Sequence, residues 1–138
     1  MACPYFVPEE RCELELWPHR SRLPLGDGFT GICQAPGFEG TRPAAEELKD
    51  GCNVGYACGC PRLPKDRVAD AVRFAVARDD GEWVTLHFAC ERDHLPAGHG
   101  TLEFSRKGGE CRTDGADPRM VAQARQYLAA YLARNPGR

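Results

Sequence analysis

The chain has no Cys-x-x-Cys pair and no apolar run near the ~20 residues a membrane span needs. Only three of its eighteen basic residues are lysine. The first absence removes the closely spaced cysteine knuckles of zinc fingers and ribbons, and with them the thioredoxin type of dithiol. The second argues against a membrane protein. Neither a Gly-x-Ser-x-Gly elbow, a phosphate-binding glycine loop nor a His-Glu-x-x-His helix occurs, which argues against the common hydrolases. The tight three-cysteine loop of radical SAM enzymes is also missing. The N-terminus, Met1-Ala2-Cys3-Pro4, lacks the basic region and apolar run of a secretory signal. A cytosolic location is therefore expected, where thiols stay reduced and an even cysteine count points to metal or redox chemistry rather than disulfides.

The net charge of −2 gives no global reason to expect nucleic-acid or membrane binding, and the 42% apolar and 28% charged shares fit one globular domain over 1–138. The excess of arginine over lysine fits a bacterial genome of high GC content and says nothing about function. Eight cysteines stand out against this background, six of them in the first 60 residues: Cys3, Cys12, Cys33, Cys52, Cys58 and Cys60. Residues 1–64 also hold eight of the eleven prolines and eight of the fifteen glycines, so this part reads as a loop-rich region without an apolar core of its own. One short helix is expected over Ala44–Asp50, with Pro43 before it, acids in its first turns and Gly51 as a stop that aims Cys52.

Residues 65–138 read differently. Val72, Phe74 and Val76, then Val84, Leu86, Phe88 and Cys90, then Leu102 and Phe104, alternate with polar residues as three antiparallel strands do. Asp79-Asp80-Gly81-Glu82 signals the first hairpin. A longer loop through Pro96 and Gly98 is expected before a short third strand. Asp117 caps and Pro118 opens a C-terminal helix whose apolar stripe runs through Met120, Val121, Ala124, Tyr127, Leu128, Tyr131 and Leu132, with Asn135-Pro136-Gly137 ending it. A three-stranded sheet needs a cover for its apolar face, and this helix supplies one. The fold class is α+β: a small antiparallel sheet packed by a C-terminal helix, with a cysteine-bearing N-terminal half.

The spacings between the six N-terminal cysteines are 9, 21, 19, 6 and 2 residues. An iron–sulfur cubane tolerates such spread, because its four iron corners accept thiolates from separate loops. Cys3-Pro4 and Cys60-Pro61 echo the Cys-Pro of ferredoxin-type loops. The ligand set expected is Cys3, Cys33, Cys52 and Cys60, for a [4Fe–4S] cluster, with structural zinc or no metal as the alternatives. Cys60 is preferred over Cys58 on the Cys-Pro echo alone. Cys12 is set aside because Glu9, Glu10, Arg11 and Glu13 make its neighbourhood polar. Cys90 reads as a buried-face residue and Cys111 as an inert loop thiol. Gly31, Gly55 and Gly59 are expected to let N–H groups approach sulfur, and Tyr5, Phe6, Phe29, Tyr56 and Leu63 to shield the centre from water.

The segments Cys3-Pro4-Tyr5-Phe6, Trp17-Pro18-His19, Leu23-Pro24-Leu25-Gly26, Cys33, Cys52-Asn53-Val54-Gly55-Tyr56-Ala57 and Cys60-Pro61 together resemble a group of small uncharacterised bacterial cysteine-cluster proteins. The likeness runs through Asp93-His94 and His99-Gly100. It implies a shared cysteine-bearing fold, brings no activity, and favours the same four positions. Two features lie outside that set. His94 and His99 in the stretch 91–100 offer a second metal or acid–base site, against the plainer reading of a polar loop. Trp17 with His19, Arg20 and Arg22 offers a docking patch, against the plainer reading that Trp17 covers the cysteine region. The function expected is one-electron transfer or redox sensing with a protein partner; the alternative is a zinc-stabilised interaction module.

Overall fold

In a computed structural model describing residues 1–136, strands β1 (Phe6–Arg11) and β2 (Phe29–Cys33) form a two-stranded antiparallel sheet. Helix α1 (Ala45–Glu47) continues into a π-helical turn, Leu48–Cys52. Strands β3 (Ala71–Asp79), β4 (Trp83–Arg92) and β5 (Leu95–Ser105) form a three-stranded antiparallel sheet in that order, and α2 (Pro118–Arg134) ends the chain's regular structure. Asp117 caps α2 by accepting from the Arg119 N–H at 2.8 Å. The residue Gly137 of the expected helix stop lies outside the described residues.

The period-two reading of the larger sheet holds. Val72, Phe74, Val84, Leu86, Leu102 and Phe104 are buried on one face, where Ala124 and Leu128 of α2 meet them. Val76, Phe88 and Cys90 pack at its margin. Burying each large apolar side chain contributes about 1.5–3 kcal/mol. The N-terminal half joins this core through Phe6, Leu25, Phe29 and Leu48, and adds only a small cluster of its own around Tyr5, Cys33 and Ala35. Met1-Ala2 completes the junction, since Ala2 exchanges both backbone hydrogen bonds with Val72, at 2.6 and 2.8 Å.

Two expectations change. The N-terminal half is not only loops and one helix, because β1 and β2 pair from Phe6–Cys33 to Arg11–Phe29. Gly31 permits the pairing: a Cβ there would sit 2.0 Å from the Val7 carbonyl oxygen. Nor is 91–100 a long loop. Arg92 pairs with Leu95, leaving Asp93-His94 as a two-residue turn, and β5 is the longest strand. Both corner residues carry positive φ, 51° and 63°, as primed hairpin turns require. The turn is supported from outside, because the Asp93 and His94 N–H groups donate to Asp70 Oδ2 (2.8 Å) and Tyr56 Oη (3.0 Å). Pro96 is tolerated because β5 is an edge strand, and a register shift at Cys90/Glu91 absorbs the irregularity. No helix among the described residues is long and apolar enough to cross a membrane.

Candidate metal centre

Four different devices deliver the four chosen cysteines to one place. Cys3 follows the Ala2–Val72 bridge, and its N–H donates to the Cys52 carbonyl at 3.1 Å. Cys33 is the last residue of β2, held between Phe6 across the strand pair and the Thr41 carbonyl, to which its N–H donates at 2.7 Å. Cys52 ends the π-turn. Cys60 sits in a tighter turn, where its N–H donates to the Ala57 carbonyl at 2.8 Å. All four line a single cavity of about 370 Å³, together with Phe6, Tyr56 and Arg62.

The π-turn depends on Asn53, which is fully buried. Its Oδ1 accepts from the Phe29 N–H, and its Nδ2 donates to the carbonyls of Phe29 and Leu48, each at 3.0 Å. The side chain thus imitates a strand partner for β2 and hangs the turn on it. Gly51 allows the wide turn, since a Cβ there would press on Ala57 Cβ at 2.9 Å. Single π-turns recur at functional sites because they re-aim a side chain without breaking the element. From the other side, Gln123 of α2, also buried, donates through Nε2 to the carbonyls of Cys3 (2.6 Å) and Phe6 (2.8 Å).

The sulfurs sense one another. Burial pushes the Cys3 thiol up to about 11, and Cys33 and Cys60 add to the rise. Burial likewise raises Cys52 to about 12, reinforced by Cys3, Cys33, Cys60 and Glu47. The Ala35 N–H reaches the Cys33 sulfur at 3.5 Å. No three His, Cys, Asp or Glu side chains among the described residues close to the spacing of a single metal ion. No disulfide is present; all eight cysteines are free.

Arg62 is the cation of the cavity. Its Nη2 donates to Glu47 Oε2 at 2.5 Å, and its Nε is buried without a hydrogen-bond partner. Glu47 in turn accepts from the Ala44 N–H through Oε1, so the start of α1 holds the guanidinium in place.

Cys58 also lines the cavity wall and is exposed, so five cysteines border this cavity and the other three lie apart. Cys12 corrects the expectation of a polar setting: it is completely buried, with its sulfur 3.9 Å from the Leu14 carbonyl. Its N–H donates to the Gly28 carbonyl at 2.8 Å, which draws it inward while Arg11 and Glu13 on either side stay exposed. Cys90 packs at the margin of the core, as expected of its strand face. Cys111 forms a bridge with Phe104, with its sulfur near the Thr113 carbonyl.

Of the glycines expected near sulfur, Gly59 lines the cavity. Gly31 abuts the β1 backbone, and Gly55 packs on Met1 and Ala71; Gly51, expected only as the helix stop, takes a wall position as well. Of the aromatic shell, Phe6 and Tyr56 reach the cavity, Tyr5 and Leu63 pack behind Cys3 and Cys33, and Phe29 lies in the main core.

The histidines do not form a second site. His94 stacks on Tyr56, ring centroids 4.1 Å apart, while the Tyr56 hydroxyl donates to Glu91. His99 instead faces His87 across the sheet at 5.7 Å. Trp17 is buried, not a docking anchor. Its ring covers Gly28, and its Nε1 donates to the Lys49 carbonyl behind the Cys52 turn. Asn53, Gln123 and Arg62 had no sequence signal.

No family model, curated protein or solved structure matches the chain, so the functional argument rests on this cavity.

Proposed function

We propose that the protein is a small iron–sulfur protein in which Cys3, Cys33, Cys52 and Cys60 hold a [4Fe–4S] cluster that exchanges single electrons with a protein partner. The single observation carrying this reading is that Cys3, Cys33, Cys52 and Cys60, from four separate stretches of chain, line one cavity of about 370 Å³. The four iron corners of a cubane accept thiolates from such separate loops.

The remaining donors fit the same group. When bound, the cluster supplies a one-electron couple. The Ala35 N–H donates to the Cys33 sulfur at 3.5 Å, which favours the thiolate form that ligation needs. Phe6 and Tyr56 exclude water from the inner wall. Cys58, Gly59 and Pro61 are exposed beside Cys60, and this edge is where a partner would approach. Redox sensing uses the same residues: loss of the ligated group would release the turn carrying Cys60 and alter that edge.

Anaerobic purification with iron, sulfide and zinc assays tests the proposal. Iron and sulfide in equal amounts and a brown colour bleached by dithionite are expected; one zinc with no iron would refute it. Serine replacement at Cys3, Cys33, Cys52 or Cys60 should each abolish or strongly reduce the iron content, while Cys12→Ser and Cys58→Ser should leave it unchanged. A partner whose affinity changes reversibly on cluster loss would select sensing over transfer.

A further inference from the structure

Arg62 enters the cysteine cavity from the turn that follows Cys60. Its side chain is only 13% exposed, and three of its properties converge. The guanidinium is fixed, because Glu47 accepts from Nη2 while being held itself by the Ala44 N–H. It keeps its charge, because an arginine side chain does not deprotonate in proteins and Glu47 pairs with it. It also has a donor to spare, since Nε is buried and unpartnered. A buried N–H without an acceptor is destabilising, and elsewhere in the chain such groups find partners. The acceptors this cavity offers are sulfurs.

Resting on the cluster reading above, we propose that Arg62 is a positioning residue that sets the reduction potential of the centre, its Nε–H donating to a sulfur in the cavity and its charge favouring the reduced form. In the reduction step a one-electron donor such as dithionite delivers one electron to the centre; no bond is made or broken in the protein and no proton is taken up. The added negative charge therefore stays in the cavity, where a fixed cation stabilises it more than it stabilises the oxidised form. Glu47 moderates the effect by neutralising part of that cation. Lysine is no equivalent, because it offers a point charge without the planar fork that places Nε against sulfur while Nη2 holds Glu47.

The test is potentiometric titration of the anaerobically purified protein and three variants, each assayed for iron and sulfide. Arg62→Gln should keep the cluster and shift the reduction equilibrium about tenfold toward the oxidised form, about 59 mV for one electron. Arg62→Lys should fall between it and the unsubstituted protein. Glu47→Gln should shift the equilibrium the opposite way. All shifts should be constant between pH 6 and 9, since arginine does not titrate there (on the order of pKa 12 or higher). An intact cluster with unchanged potential in Arg62→Gln would overturn the tuning role and leave the cluster reading standing. Loss of iron from all three variants with an unchanged circular dichroism spectrum would also overturn it, making Arg62 an assembly residue. Absence of iron and sulfide from the unsubstituted protein would instead remove the cluster reading itself.

Discussion

Asn53→Ala should be among the most damaging single substitutions outside the cysteines. The side chain makes three hydrogen bonds at 3.0 Å and is fully buried. Truncation leaves the Phe29 N–H without an acceptor, at about 1–3 kcal/mol for a buried donor. It also removes one bond from the Phe29 carbonyl, about 1 kcal/mol. The Leu48 carbonyl suffers less, because it still accepts from the Asn53 backbone N–H at 3.3 Å. The void left in a packed setting adds about 1 kcal/mol. The sum, about 3–5 kcal/mol, is a large part of the roughly 5–15 kcal/mol that stabilises a domain.

Urea unfolding followed by far-ultraviolet circular dichroism reads this directly. With a slope of about 2 kcal/mol per molar, the midpoint should fall by about 2 M. Asn53→Asp separates hydrogen bonding from packing, since it keeps the volume but turns a carboxylate oxygen toward two carbonyls. Its penalty should be largest at neutral pH and shrink as acid protonates the carboxyl, the sign expected of a buried group whose folded pKa is raised. A midpoint shift below about 0.5 M for Asn53→Ala would refute the claim that this side chain suspends the Cys52 turn from β2.

Two further outcomes follow from the junctions around the site. Gln123→Met removes the donors to the Cys3 and Phe6 carbonyls but also the buried Oε1 that has no partner, so a net loss of about 1–2 kcal/mol and a melting temperature lower by about 3–6 °C are expected. Gln123→Glu should be worse, because it aims a carboxylate at the same two carbonyls; an equal loss in both variants would argue against the bonds. Asp79 is held well below the usual carboxylate range by Arg106, then by the Tyr131 hydroxyl and the Gly81 N–H. Its stabilisation is therefore present above the ordinary Asp pKa of about 3.9 and lost as pH falls through the depressed value. Asp79→Asn should flatten the acid limb of the stability profile, read as melting temperature against pH; an unchanged limb would show that other carboxylates govern acid unfolding.

The larger sheet and α2 were legible because each repeats one rule many times. Alternation over Val84–Leu86–Phe88 and the Asp117-Pro118 cap need no knowledge of distant contacts. The smaller sheet was not legible, because Pro8, the acids of β1 and Gly31 hide its signal, and only pairing across a long connection reveals it. Cys12 was misjudged by averaging the polarity of its neighbours, when a backbone bond to the distant Gly28 turns it inward and leaves those neighbours exposed. The choice of Cys60 over Cys58 used a dipeptide echo; both border the cavity, Cys58 the more exposed of the two. Asn53, Gln123 and Arg62 were invisible because the burial of a polar side chain is decided by its partners, each remote in sequence.

The four cysteines are not equally anchored, and that inequality bears on what the site can do. Cys3 is tied to β3 through Ala2 and to α2 through Gln123; Cys33 ends a strand, and Cys52 hangs from Asn53. Their positions follow from the shared core and persist whether or not anything bridges them. Cys60 is held by the Ala57 carbonyl and the Leu63 N–H, both within its own turn, in a stretch where Cys58, Gly59 and Pro61 are exposed. Three sulfurs thus form a fixed cradle and the fourth closes it from the surface side. A ligated group would be held rigidly on its inner faces, which keeps the reorganisation on electron exchange small. The same group would order the outer segment, and only that segment, which is where a partner would detect its presence. Under the proposed function, transfer and sensing would both draw on that one asymmetry, a floor tied to the core joined to a wall tied only to its own turn.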